Sequence, residues 1–136
     1  MLNTKVKDFM QRKLPNITPD TEMTTAIAEL QKFKLLGAPV FDKDKCLVGF
    51  ISEQELLQPL TQSSYFCDGM VKVSQLMQTE VVTVSGDTNI IELAQQMQPG
   101  KPKNYPVVEG IKVIGMISRA DVLKALYDNY ISCQTH

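Results

Sequence analysis

The chain has 136 residues, 43% of them apolar and 21% charged, with 14 basic residues against 15 acidic ones for a net charge of −1. That length suits one compact domain or two half-size units sharing a core, and the balanced charge argues against nucleic-acid binding, which needs clustered Lys and Arg. No apolar run approaches the ~18 residues of a membrane-spanning helix, and the stretch after Met1 has no signal-peptide core.

Taken in chain order, Lys5 to Lys7 and Gln11 to Lys13 read as short solvated faces around a first turn ending in Met10. A short strand is expected around Asn16-Ile17-Thr18. Met23, Ala26, Ile27, Leu30 and Phe33 then recur at helical spacing, one stripe of an amphipathic helix. Asp20-Thr21 stands just ahead of it, where short polar side chains can cap free N–H groups. Ala38 to Phe41 reads as a strand, Asp42 to Lys45 as a polar turn, Cys46 to Ile51 as the return strand, and Glu53 to Leu60 as a helix.

The segment from Pro59 to Lys72 is polar apart from Tyr65 and Phe66, and reads as a structured connector. A second short strand is expected at Val81 to Val84. Ile90, Leu93, Ala94 and Met97 make a second helical stripe behind Asp87-Thr88. Gln98 to Lys103, with Pro99, Gly100 and Pro102, cannot continue that helix. Tyr105 to Val108, a tight turn at Glu109-Gly110, and Lys112 to Ile117 form a hairpin. A last helix runs from about Arg119 to Tyr130.

The second half of this order repeats the first. At a shift of 67 residues Val6 meets Val73, Met10 meets Met77, Asp20-Thr21 meets Asp87-Thr88, and Pro39-Val40 meets Pro106-Val107. One residue is lost in a turn, and at a shift of 66 Gly49 meets Gly115, Ile51-Ser52 meets Ile117-Ser118, and Leu57 meets Leu123. Loops absorb such length changes. The repeat divides the chain into 1–63, a connector at 64–72, and 73–136. Each half alone is expected to make only a marginal core, with the remaining apolar face buried by stacking the two copies through their sheets.

Little here resembles a catalytic set. His136 is the only histidine, which leaves no His-based metal site and no Ser-His or Cys-His pair. Cys46, Cys67 and Cys133 are odd in number and contain no CxxC, as expected of free thiols in a reducing cytoplasm. Cys67 has aromatic neighbours but no cationic cluster to activate it. Met10, Met77 and Met97 fit the apolar stripes and read as core.

The pattern that can carry chemistry is Ser118-x-x-Asp121, mirrored by Ser52-x-x-Glu55, each where a strand gives way to a helix. Free N–H groups and the positive dipole end favour a phosphate there. The hydroxyl can donate to it, and the carboxylate can accept from two ribose hydroxyls. The same spacing is also a capping box, in which the two side chains satisfy the helix's own donors. The residues alone leave both readings open. Tyr105 likewise reads either as a base-stacking ring or as a packed strand aromatic. Lys101 and Lys103 read as solvated, and Arg119 as a possible phosphate partner.

These strings resemble the CBS (cystathionine-β-synthase) domain. Gly49 to Leu57 and Gly115 to Leu123 are similar to its closing strand and helix, Ala38-Pro39-Val40 and Tyr105-Pro106-Val107 to its x-Pro-Val strand, and Val6 to Met10 and Val73 to Met77 to its opening helix. The likeness runs from about Thr4 to Ile131, twice in the same order. It implies an α+β fold of two repeats, each β-α-β-β-α with a short leading helix, packed with pseudo-twofold symmetry through their sheets (a Bateman module).

The resemblance further implies a non-catalytic regulatory module, an expected homodimer that signals to a separate, unknown effector protein. Its ligand would be AMP, ADP, ATP or S-adenosylmethionine, held in a cleft between repeats, with no required cofactor, no metal, no nucleic acid and no membrane. The ligand residues it implies are Thr83, Val84, Tyr105, Pro106, Ser118, Arg119 and Asp121. A secondary set is Thr18, Ala38, Pro39, Ser52 and Glu55, where Glu in place of the family's Asp would crowd a ribose. The alternative function is a ligand-free dimerisation scaffold.

Overall fold

A computed structural model describes residues 4–62 and 70–134. The first copy gives α1 (Met23–Phe33), β1 (Gly37–Phe41), β2 (Leu47–Ser52) and α2 (Glu53–Leu60). The second gives β3 (Val84–Ser85), α3 (Ile90–Gln96), β4 (Asn104–Glu109), β5 (Lys112–Ser118) and α4 (Arg119–Gln134). Single 3-10 turns at Val6–Asp8 and Val73–Gln75 stand where the opening helices were expected. Most of the expected connector, with Tyr65, Phe66 and Cys67, lies outside the described residues.

The chain forms two compact units, and their borders do not follow the sequence repeat. Copy two is grouped with the leading segment 4–13, and copy one with 71–81 and the hairpin tip 111–113. Each copy thus lends its leading segment to the unit built on the other copy. In the copy-two unit, Val6 and Met10 are buried with Val84, Ile90, Leu93, Tyr105, Val107, Ile117, Val122 and Ala125. In the copy-one unit, Val71 and Val73 are buried with Ile17, Met23, Ala26, Leu30, Ala38, Val40, Ile51 and Leu56. Burying a valine completely contributes about 1.5–3 kcal/mol, so Val6 and Val73, both fully buried, anchor the two segments.

Backbone hydrogen bonds extend the docking. Gln11 and Met116 exchange N–H···O bonds of 2.8 and 2.9 Å, and Phe50 and Gln78 make the matching pair at 2.8 and 2.9 Å. The leading segments also replace the expected helix caps. Met23 N–H donates to the Val71 carbonyl at 2.7 Å, and Ile90 N–H to the Thr4 carbonyl at 2.7 Å. The capping expected of Asp20-Thr21 and Asp87-Thr88 is corrected accordingly. Asp20 pairs with Lys72 and Asp87 with Lys5 and Lys7. Asn89 is the side chain that caps α3, accepting from Ile91 N–H at 2.8 Å.

The copy-two sheet has the order β3-β4-β5. Strand β3 is shorter than the expected Val81 to Val84 and runs parallel to β4, with Val84 opposite Val107 and Ser85 opposite Val108. Gly110, at φ +65°, makes the tight turn into β5 that favours a residue without a Cβ. The copy-one sheet is the antiparallel pair β1-β2, with Gly37 opposite Ser52 and Ala38 opposite Ile51. The strand expected at Asn16-Ile17-Thr18 does not form. Pro15 and Pro19 flank it and cannot donate to a ladder, and the link to β1 there is Phe41 N–H to the Ile17 carbonyl at 3.2 Å.

Candidate functional site

In the copy-two unit the topology gathers the start of β3, the start of β4 and the end of β5 at one edge of the sheet. Thr83 precedes β3, Tyr105 and Pro106 open β4, and Ser118 closes β5. Arg119 N–H donates to the Lys103 carbonyl at 2.9 Å, which ties the first turn of α4 to the approach of β4. All seven primary candidates therefore lie in one unit. Their exposure sorts them. Thr83, Ser118 and Asp121 are half-buried, Arg119 is exposed, and Val84 and Pro106 are buried.

Tyr105 is 2% exposed and belongs to the core of the unit. Its ring is a packed strand aromatic, and burial pushes its phenol pKa up. What residue 105 can present to a ligand is its backbone.

At the tip of α4, Ser118 N–H donates to Asp121 Oδ2 at 2.9 Å, and Asp121 N–H donates to Ser118 Oγ at 3.1 Å. This is the reciprocal capping box. It leaves two groups unused. Asp121 Oδ1 has no partner among the described residues, and Ser118 Oγ, which accepts, keeps its own proton to give. The tip heads a helix of 16 residues and carries the Arg119 guanidinium, which forms no ion pair among the described residues. An acceptor, a hydroxyl donor and a cation at a positive dipole end suit a sugar phosphate.

The copy-one unit places its candidates differently. Ser52 N–H and Ser52 Oγ–H both donate to Glu55 Oε1, at 2.8 and 2.7 Å. Gln78 Nε2 donates to Glu55 Oε2 at 3.1 Å. Both carboxylate oxygens and the serine proton are occupied. Ala38 and Pro39 are buried in β1 beside this tip. Thr18 is not: it lies past Ile17 at the turn end of β1, and its N–H donates to Thr21 Oγ1 at 2.9 Å. The structure does not bring Thr18 to Ser52. It lines a hollow of about 640 Å³ with Asp20, Asp42, Lys43 and Lys45. A separate apolar groove of about 370 Å³ between α1 and α2 is lined by Leu30, Leu35, Leu56, Leu57 and Leu60 among others.

Sequence reasoning does not single out Gln78, and reads its counterpart Gln11 only as part of a solvated face. Each follows the Met that ends the leading turn, and no spacing rule marks a lone Gln. Among the described residues no cluster of His, Cys, Asp or Glu is arranged to hold a metal, and no helix is long and apolar enough to cross a membrane.

A duplicated unit closing in Gly-x-Ile-Ser, with each repeat opening on a short turn, is the pattern of one family. The CBS domain model matches residues 6–61 and 73–128, and the chain belongs to that family. It is 32% identical over 130 residues to an uncharacterized protein of Methanocaldococcus jannaschii, covering 93% of this chain and 58% of that one. It is 28% identical to a CBS domain-containing protein of Dictyostelium discoideum, covering 89% of this chain and 90% of that one. The chain thus spans little more than half of the first relative and nearly all of the second.

Among solved structures, CBSX2, a CBS-pair protein from Arabidopsis thaliana, superposes with TM-score 0.79 at 28% identity, over 94% of this chain and 97% of that one. CBSX2 in complex with AMP gives TM-score 0.81 at 28% identity, over 94% and 99%.

Proposed function

We propose that this CBS pair is a non-catalytic sensor that binds an adenosine-containing ligand at the copy-two tip, through Ser118, Arg119 and Asp121. The observation that carries the reading is the unused half of the Ser118–Asp121 box. Among the described residues one carboxylate oxygen has no partner and one hydroxyl proton is unspent, at the start of a long helix whose first residue, Arg119, makes no ion pair. In this reading Asp121 Oδ1 accepts from the ribose hydroxyls, Ser118 Oγ and Arg119 hold a phosphate, and the backbone at Thr83, Val84, Tyr105 and Pro106 meets the base. AMP in complex with CBSX2 supports the ligand class.

Binding shifts the population of two arrangements of the chain, and a separate partner protein reads the difference. A homodimer is part of the proposal. Leu123, Tyr127, Tyr130 and Ile131 follow helical spacing along α4 and are exposed, an apolar stripe that a second copy would cover. Sedimentation of wild type against Leu123→Glu tests it; equal monomer mass for both removes the dimer.

A titration with AMP, ADP, ATP and S-adenosylmethionine tests the ligand. One of them at 100 times its Kd should stabilise the chain by about 2.7 kcal/mol, and Asp121→Ala should abolish the response. No response in wild type leaves the ligand-free scaffold as the function.

A further inference from the structure

The two tips differ in which partner takes the carboxylate. In copy two, Asp121 spends one oxygen on Ser118 N–H and keeps the other. In copy one, Glu55 spends both, and Gln78 takes the second at 3.1 Å. The serines differ in the same sense. Ser118 Oγ accepts from Asp121 N–H, so its proton is available. Ser52 Oγ donates to Glu55 Oε1 at 2.7 Å, so its proton is spent. A ligand at copy one would first have to displace these bonds to the carboxylate.

The leading segments explain the asymmetry. Gln78 and Gln11 occupy matching positions, each exchanging backbone bonds with the strand that ends at its tip. Gln78 reaches Glu55. Gln11 donates through Nε2 to the Lys13 carbonyl at 3.4 Å instead, and makes no bond to Asp121, which is one methylene shorter than Glu55.

We infer that Gln78 latches the copy-one tip shut and thereby confines nucleotide binding to copy two, one ligand per chain. Gln78 acts through Glu55 and is a positioning residue rather than a ligand contact. The inference rests on the nucleotide reading above. It goes beyond that reading by naming the residue that sets the stoichiometry.

Calorimetric titration with AMP tests it on wild type, on the double variant Glu55→Asp/Gln78→Ala, and on that pair combined with Asp121→Ala. Gln78 is exposed and the Asp keeps the charge, so circular dichroism should confirm an unchanged fold. The expected stoichiometries are one for wild type, two for the double variant and one for the triple variant, whose only site is the opened one. Two sites in wild type, or a double variant that stays at one, overturns the latch. If wild type binds no AMP, the copy-two reading fails by itself. The latch then stands only if the double variant gains one site, and falls if it gains none.

Discussion

A methyl group on Gly115 would lie 2.7 Å from the Met10 sulfur. It would also lie 2.8 Å from the Gln11 carbonyl, which is backbone and cannot swing aside. Gly49 meets Met77 and the Gln78 carbonyl in the same way, at 2.6 and 2.8 Å. Each glycine lets a leading segment lie directly on the strand that ends at a tip. Gly115→Ala and Gly49→Ala should each cost about 1–3 kcal/mol by overpacking. Urea unfolding midpoints check this, and an unchanged midpoint would mean the segments do not press on these strands.

Tyr105 should matter to stability more than to ligand. Removing its ring with Tyr105→Ala should cost about 3–5 kcal/mol, the range for a buried aromatic. Its phenol gives a second readout. Burial raises the folded pKa above the ordinary value of 10.0. Below that value both states keep the proton and the contribution is fully present. As pH rises further the unfolded chain ionises first, so stability falls. Tyr105→Phe should flatten that alkaline loss, read as unfolding midpoints across the alkaline range.

Asp87 works at the acid end. The hydrogen bond from Lys7, then the charges of Lys7 and Lys5, hold its carboxyl below the usual 3.8. A depressed folded pKa gives stability that is present above the unfolded value and lost as pH falls through the folded one. The group is fully exposed and screened by salt. Asp87→Asn should therefore lower stability slightly at neutral pH and low salt, leave it unchanged at the acid end, and so remove a small, salt-sensitive step from the acid limb. Acid unfolding at two salt concentrations measures it.

The two serines should separate capping from binding. Ser118→Ala removes the hydroxyl that accepts from Asp121 N–H and should cost about 1 kcal/mol, together with a loss of AMP affinity. Ser52→Ala should cost a similar amount of stability and leave AMP affinity untouched. Equal affinity losses from both would show that copy one also binds.

Element order was legible because it rests on local periodicity. The stripe from Met23 to Phe33 and the helix from Glu53 to Leu60 fall where the spacing places them. The family was legible from Pro39-Val40, Ile51-Ser52 and their repeats. The short strand expected at Ile17 fails because an apolar residue between two polar ones looks like a strand, while the flanking Pro15 and Pro19 cannot donate to a ladder. The caps were misread for a different reason. Asp20 and Asp87 sit at cap distance in sequence, yet carbonyls from Val71 and Thr4, far along the chain, reach the helix starts first. Local rules cannot register such a competitor. The site was half legible: the Ser-x-x-acid spacing marked both tips, while the bond that Gln78 adds to Glu55, and that has no counterpart at Asp121, lies where spacing does not reach.

The exchange of leading segments also orders events at the ribosome. Residues 4–13 emerge before copy one, yet the strands and helices they complete, from 82 to 134, are made after it. Val6 and Met10 must wait unburied while copy one is translated, and copy one in turn lacks Val71 and Val73 until the connector has passed. Folding of this chain is therefore a long-range closure, finished only once copy two has been made, and a ribosome stalled between the copies holds a chain whose two cores are both open.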